Sequence, residues 1–201
     1  MNARIAMAVG LSFMAGFVDA LGFVHMGGYF VAFMSGNSTQ MAAALPDGLA
    51  GAVLPASLIA LFVIGVMAGT IVEQRFSGSL ALFMLAILLG LATGLAAMRL
   101  DDAAIMVTPF VMGAMNTVVR SGQGAMAVTY MTGNLVKLGQ AIMAAFQGGD
   151  RWAWLTSLLL WLGLIAGAFS GAIAYGEIGL IALWLPAAGL IGLAFMRLVS
   201  R

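Results

Sequence analysis

Cysteine is absent and histidine occurs once, at His25, in a chain of 201 residues. The first absence excludes disulfides, thiolate metal sites and cysteine nucleophiles. The second leaves too few imidazoles for a multi-histidine metal centre within one chain. Charge is also scarce: eight Lys and Arg stand against seven Asp and Glu, which is 7% of the residues and a net charge of +1. A soluble domain carries roughly 25% charged residues, so this chain cannot cover a water-facing surface. No cluster of Lys or Arg is present, and nucleic-acid binding has no support. Polar connections are only a few residues long, which leaves no room for a separate soluble domain.

What fills the chain instead is apolar sequence, 63% of all residues. Runs over residues 5–24, 51–72, 79–98, 152–175 and 178–196 approach the roughly 20 residues that a membrane helix needs. Two further stretches, 29–45 and 104–146, are apolar but interrupted. The runs are continuous rather than alternating, which excludes a porin-like barrel. These features predict an all-α, polytopic transmembrane helical bundle in which residues 1–201 form a single membrane domain, with the lipid bilayer as its partner. The first run resembles a signal peptide in length, but it has a counterpart inside the chain and is read as retained.

That counterpart belongs to an internal duplication. Gly94-Leu95-Ala96-Ala97-Met98-Arg99-Leu100 recurs as Gly192-Leu193-Ala194-Phe195-Met196-Arg197-Leu198, with six of seven residues identical. Met34-Ser35-Gly36-Asn37 recurs as Met131-Thr132-Gly133-Asn134. At an offset of 97, the distance from Met34 to Met131, Phe13, Gly16, Gly27, Val31 and Ala44 also meet identical residues, and Asp19 meets Asn116. At an offset of 98, Gly65, Ala68 and Gly69 match Gly163, Ala166 and Gly167. The expected repeats are residues 4–100 and 101–198. Internal repeats in an apolar chain are a mark of membrane transporters, whose sites lie where the repeats meet.

Each half begins with an interrupted region of about 40 residues, which as one helix would be about 60 Å long, twice the hydrocarbon thickness. It must break. The break signals are His25-Met26-Gly27-Gly28 and Ser35-Gly36-Asn37-Ser38-Thr39-Gln40 in the first half. In the second they are Pro109, Arg120-Ser121-Gly122-Gln123-Gly124 and Thr132-Gly133-Asn134. One net crossing by this region gives 3+3 spans, an inverted repeat with broken or re-entrant segments. Two crossings give 4+4 parallel spans, the alternative. The distribution of Arg residues barely separates the two; the reading adopted here is 3+3.

Non-helical backbone at membrane depth is tolerated only where it is buried in protein or lines a cavity. Ser35, Gly36, Asn37, Thr132, Gly133 and Asn134, with Asn116 nearby, are therefore the expected substrate-binding residues. Their hydroxyls, amides and free N–H groups suit a small polar or anionic solute at half-helix N-termini. The competing role is a kink whose side chains satisfy the freed backbone. Asp19 is the one acidic residue deep within an apolar run. A charge there is expensive and usually functional, which makes Asp19 the proton-coupling candidate; a structural carboxylate paired with Lys137 or Arg120 is the alternative. Lys137 could also snorkel to the interface, and His25 is expected to form a local hydrogen bond. Gly163-x-x-x-Gly167-x-x-x-Gly171 and Gly65-x-x-x-Gly69 read as packing seams, within the chain or in a homodimer. Neither Ser35 nor Thr132 has a base specified beside it, no metal ligands cluster and no cofactor is implied, so the chain is not expected to be an enzyme.

Gly16-Phe17-Val18-Asp19-Ala20 with Phe33-Met34-Ser35-Gly36-Asn37, and Gly113-Ala114-Met115-Asn116 with Tyr130-Met131-Thr132-Gly133-Asn134, resemble the YoaK family, the bacterial domain-of-unknown-function family 1275. The resemblance covers essentially the whole chain. It implies an integral membrane protein of about six spans in a bacterial cytoplasmic (inner) membrane, and it brings no substrate or catalytic residue. Ser35 stands where threonine is common in the motif. Together these observations predict a secondary transporter with a midplane site at the repeat interface; a passive channel or a non-transport membrane assembly protein are the alternatives.

Overall fold

The structure, a computed structural model, describes residues 3–118, 120–121, 124–125 and 129–199. Gly122 and Gln123 of the expected break, the Val128 counterpart of Val31, and Arg201 lie outside the described residues. Eight α-helices follow one another: α1 (Ala3–His25), α2 (Met34–Ala44), α3 (Ala50–Arg75), α4 (Gly78–Ala97), α5 (Asp101–Val118), α6 (Met131–Phe146), α7 (Trp154–Ile178) and α8 (Trp184–Val199). Short 3-10 turns, Leu45–Asp47 and Gly179–Leu183, precede α3 and α8. Among the described residues the one extended pairing is β1 (Arg120–Ser121) with β2 (Gly124–Ala125), antiparallel, Arg120 opposite Ala125. The all-α expectation holds. Four stretches are long and apolar enough to cross a membrane, Ile5–His25, Ala50–Arg75, Gly78–Ala97 and the 46-residue Trp154–Val199. Large apolar side chains such as Ile87, Phe146, Met67 and Phe169 are exposed on the outside of the bundle, where lipid rather than water suits them.

Both interrupted regions break after a long helix and before a short one. α2 has 11 residues, about 16 Å at 1.5 Å per residue, too short to cross the hydrocarbon layer. Three expected breaks did not occur: residues 35–40 lie inside α2, residues 132–134 inside α6 and Pro109 inside α5, so the chain breaks before the Ser/Thr-Gly-Asn motifs rather than at them. Proline removes the N–H that would bond the carbonyl one turn back, at Ile105. The Thr108 hydroxyl donates to that carbonyl instead, at 2.7 Å, so the freed group is satisfied and the helix continues.

Glycine sets the packing. A Cβ on Gly16 would strike the Leu164 carbonyl of α7, and one on Gly167 would strike the Phe13 carbonyl of α1. In the same way Gly113 lies on the Phe62 carbonyl and Gly65 on the Phe110 carbonyl, which joins α5 to α3. Bare backbones touch at both seams, the geometry that small residues permit between membrane helices. The buried Ser12 hydroxyl adds a bond to the Leu160 carbonyl, 2.8 Å. Each of these partners comes from the other half of the chain, so the halves interlock.

The seams pair α3 and α7 differently from the sequence match. Gly65 takes the place against Phe110 that Gly167 takes against Phe13, and Gly69 meets Ala114 as Gly171 meets Phe17. In space α3 and α7 therefore correspond at an offset of 102, Gly65 to Gly167, rather than 98. A glycine seam of period four matches itself after a slip of one turn, and α6 with its connection is longer than α2 with its own, which absorbs the difference.

Contacts fix the helix directions. Phe13 beside Gly167 and Phe17 beside Gly171 make α1 and α7 parallel; Phe110 beside Gly65 and Ala114 beside Gly69 make α5 and α3 parallel. Gly10 lies by Leu193 and Gly189 by Met14, so α8 runs against α1. Gly78 lies by Arg197 and Phe83 by Phe195, so α4 runs against α8. A two-residue link, Phe76-Ser77, reverses the chain between α3 and α4, with the Ser77 hydroxyl accepting from the Leu80 N–H. Hence α1, α4 and α7 run one way, and α3, α5 and α8 the other. The chain leaves α1 and enters α3 at the same end of the bundle, and leaves α5 and enters α7 at the other. The core lies where α1, α4, α5 and α8 meet, around Leu21, Leu82, Leu89, Met112, Met115 and Leu190.

Candidate functional site: a cavity between two short helices

Each break is held by a polar side chain on the preceding long helix. The Asp19 Oδ1 accepts hydrogen bonds from the N–H groups of Val31 and Ala32, at 2.8 and 2.7 Å. In the other half, the Asn116 Oδ1 accepts from the Thr129 N–H and hydroxyl, both at 3.1 Å, while its Nδ2 donates to the Met112 carbonyl. These bonds pull the returning chain down beside the helix it has just left. Asp19 is thus paired with backbone; Lys137 is exposed and makes no ion pair with it, and nothing is described of the Arg120 side chain.

The Ser/Thr-Gly-Asn residues divide the labour. Asn37 is fully buried, its Oδ1 accepting from the Phe30 N–H at 3.0 Å and its Nδ2 donating to the Phe30 carbonyl at 2.6 Å. It satisfies both polar groups of one peptide in the broken segment. Asn134 is buried too, and its Nδ2 contacts the Met131 sulfur at 3.7 Å, as Asn37 contacts Met34 at 3.8 Å. Gly36 gives room to the rings of Phe33 and Phe30, and Gly133 to the ring of Tyr130. The aromatic residue before each short helix folds back onto that helix's glycine, which a Cβ would forbid. Gln40 Nε2 donates to the Gly28 carbonyl at 2.8 Å, while Lys137 and Gln140 are exposed on α6.

A cavity of about 510 Å³ lies where the two breaks meet. Its wall comes from equivalent positions of both halves: Phe33, Met34 and Ser35 at the start of α2, and Tyr130, Met131 and Thr132 at the start of α6. Ala32, Thr129, Asn116 and Phe62 complete it. Neither α2 nor α6 has a side-chain N-cap; the Met131 N–H donates to the Thr129 carbonyl and the Gly36 N–H to the Phe33 carbonyl, and the N-terminal ends of both helices, with the positive ends of their dipoles, lie at this cavity. Among the described residues no charged side chain lines it.

Of the expected site residues, Ser35, Thr132 and Asn116 reach the wall. Gly36, Asn37, Gly133 and Asn134 stand behind it and shape the breaks, and Asp19 holds the segment rather than lining the cavity. The residues that sequence reasoning passed over are Phe33, Tyr130, Met34, Met131, Thr129 and Phe62. Two of them had a signal: an aromatic precedes the motif in both halves. His25 bonds not locally but across the bundle, its Nδ1 3.0 Å from the Tyr175 hydroxyl of α7 in the other half.

Comparison with known proteins fits this picture. Residues 7–196 match the family described as protein of unknown function (DUF1275). The chain is 35% identical over 187 residues to the UPF0700 transmembrane protein RA0705 of Rhizobium meliloti (strain 1021), covering 90% of this chain and 80% of that protein. No solved structure matches it.

Proposed function

The chain belongs to the DUF1275 family and is a multi-pass helical membrane protein; we propose that it is a small secondary transporter of a polar or anionic solute in the bacterial cytoplasmic membrane. The observation that carries this reading is the cavity walled by matching residues of the two short helices. In the proposed topology α1, α3, α4, α5, α7 and α8 cross the membrane. α2 and α6 enter from opposite faces and stop at the midplane, and the halves form an inverted repeat, as the helix directions favour. Broken helices that turn their N-terminal ends to a midplane site recur in transporters with inverted repeats. The wall offers hydroxyls at Ser35, Thr129 and Thr132, the Asn116 amide and the N-terminal ends of both short helices. Among the described residues it offers no carboxylate for a cation, which favours neutral polar solutes and anions.

Asp19 is the carboxylate that touches the re-entrant backbone, and we assign proton coupling, where transport has it, to this residue: protonation weakens its hold on Val31 and Ala32. Under this reading Asp19→Asn abolishes proton-driven flux; coupling unchanged in that variant leaves Asp19 a structural role alone.

The test is a thermal-shift screen of the detergent-purified protein against small polar metabolites and inorganic anions. A ligand at 100 times its Kd stabilises a protein that binds it only when folded by about 2.7 kcal/mol. A stabilising compound whose effect disappears in both Ser35→Ala and Thr132→Ala supports the site and supplies the substrate for flux assays. A broad library without a single stabilising compound counts against a transporter and for an assembly role or a passive pore.

A further inference from the structure

The two breaks differ in one respect that their shared motif hides. In the first half, three phenylalanines stack in a row. Phe23, one turn beyond Asp19 on α1, lies 4.9 Å from Phe30 between ring centroids, and Phe30 lies 5.1 Å from Phe33, edge to face. Phe33 is itself cavity wall. The row therefore runs without interruption from the cavity toward the end of the bundle where α1 finishes. It is built, not incidental: Asn37 clamps the Phe30 peptide through both its N–H and its carbonyl, and Gly36 leaves the space the rings of Phe30 and Phe33 occupy.

At the offset of 97 that relates the motifs, the sequence places Arg120, Ala127 and Tyr130 at these three positions. An arginine, a methyl group and a phenol cannot make an equivalent stack. The row of aromatic rings belongs to the α2 side, and the sequence does not repeat it in the second half. Apolar constrictions stop solutes by excluding water, without needing to seal the pore sterically.

We propose that Phe23, Phe30 and Phe33 form a gate that closes the cavity toward the face where α1 ends, a barrier without a counterpart in the sequence of the other half. This rests on the reading of the cavity as a solute path. It adds that the path is gated unequally, with the aromatic stack as the part that must move for release on the far side.

The absence of cysteine makes the test direct. Thr132→Cys puts one thiol in the cavity wall. Its reaction with 2-sulfonatoethyl methanethiosulfonate, which is negatively charged and does not cross membranes, is timed in vesicles of each orientation. The thiol is expected to react at least tenfold faster from the face where α1 begins. Adding Phe33→Ala, or Phe23→Ala, should raise the slow rate at least tenfold, whereas adding Tyr130→Ala should leave it slow. Should Phe33→Ala fail to give a monodisperse protein, Phe33→Leu and Phe23→Ala carry the comparison. Equal rates from both faces in the parent, or an asymmetry untouched by the phenylalanine variants, overturn the gate and leave the cavity reading standing. A thiol that reacts from neither face, yet reacts once the protein is unfolded in detergent, overturns the cavity as a water-accessible path and the gate with it.

Discussion

Asp19 and Asn116 occupy equivalent places and perform the same local task, accepting backbone N–H groups from the segment that follows their helix. Asn116 shows that a neutral amide oxygen suffices for this. Asp19→Asn should therefore fold and lose less than about 1 kcal/mol, the scale of one neutral hydrogen bond. Asp19→Ala leaves two N–H groups at membrane depth without their acceptor and should cost at least about 2 kcal/mol; thermal unfolding of the two variants in the same detergent checks the order. The sequence marked Asp19 by its isolation among apolar residues. It could not show the partner, because the partner is backbone, and a backbone N–H has no letter of its own. For the same reason Asn37 read as a binding residue: an amide that clamps a peptide and one that clamps a solute are the same letter. Only the fold separates Ser35, on the wall, from Asn37 two residues later and fully buried.

Among the elements, the glycine seams carry the most stringent constraint. Gly16→Ala, Gly113→Ala, Gly65→Ala and Gly167→Ala each set a methyl group against a backbone carbonyl that cannot rotate away. Each should destabilise by about 1–3 kcal/mol, the usual cost of overpacking. Gly90 and Gly94 on α4 have open space where a Cβ would go, and alanine there should be neutral within about 0.5 kcal/mol. The recovery of monodisperse protein after heating separates the two sets. Helix positions were readable from apolar run length alone, since a membrane leaves helices few alternatives. Two details were not. The seam's own period concealed a one-turn slip, so the match at 98 and the spatial correspondence at 102 looked alike. Pro109 read as a break because the rescue by the Thr108 hydroxyl depends on a rotamer.

For the whole molecule, the direction of the helices implies that the chain re-emerges on the face it left after each short helix. Single cysteines at Asp47 and Gln147, which follow α2 and α6, should be labelled from opposite faces of the membrane. Labelling from the same face would require α6 to cross the membrane, and with α2 crossing as well it would restore parallel halves. Counting arginines left these two arrangements nearly tied; contacts between distant helices, invisible in one sequence, give the helix directions on which the proposed 3+3 topology rests. The same contacts bear on how the protein is made. The face of α1 around Gly16 is covered by the glycine row of α7, whose first residue, Trp154, is synthesised long after His25 ends α1. At about 5–20 residues per second the wait is on the order of ten seconds. Through that interval a helix open to close backbone contact at Gly16 stands in lipid without its mate, and the first half cannot finish assembling from what has been translated. Released early from the ribosome, the first hundred residues should be a substrate for membrane proteases, and pulse-labelled truncations ending before and after α7 should differ sharply in lifetime.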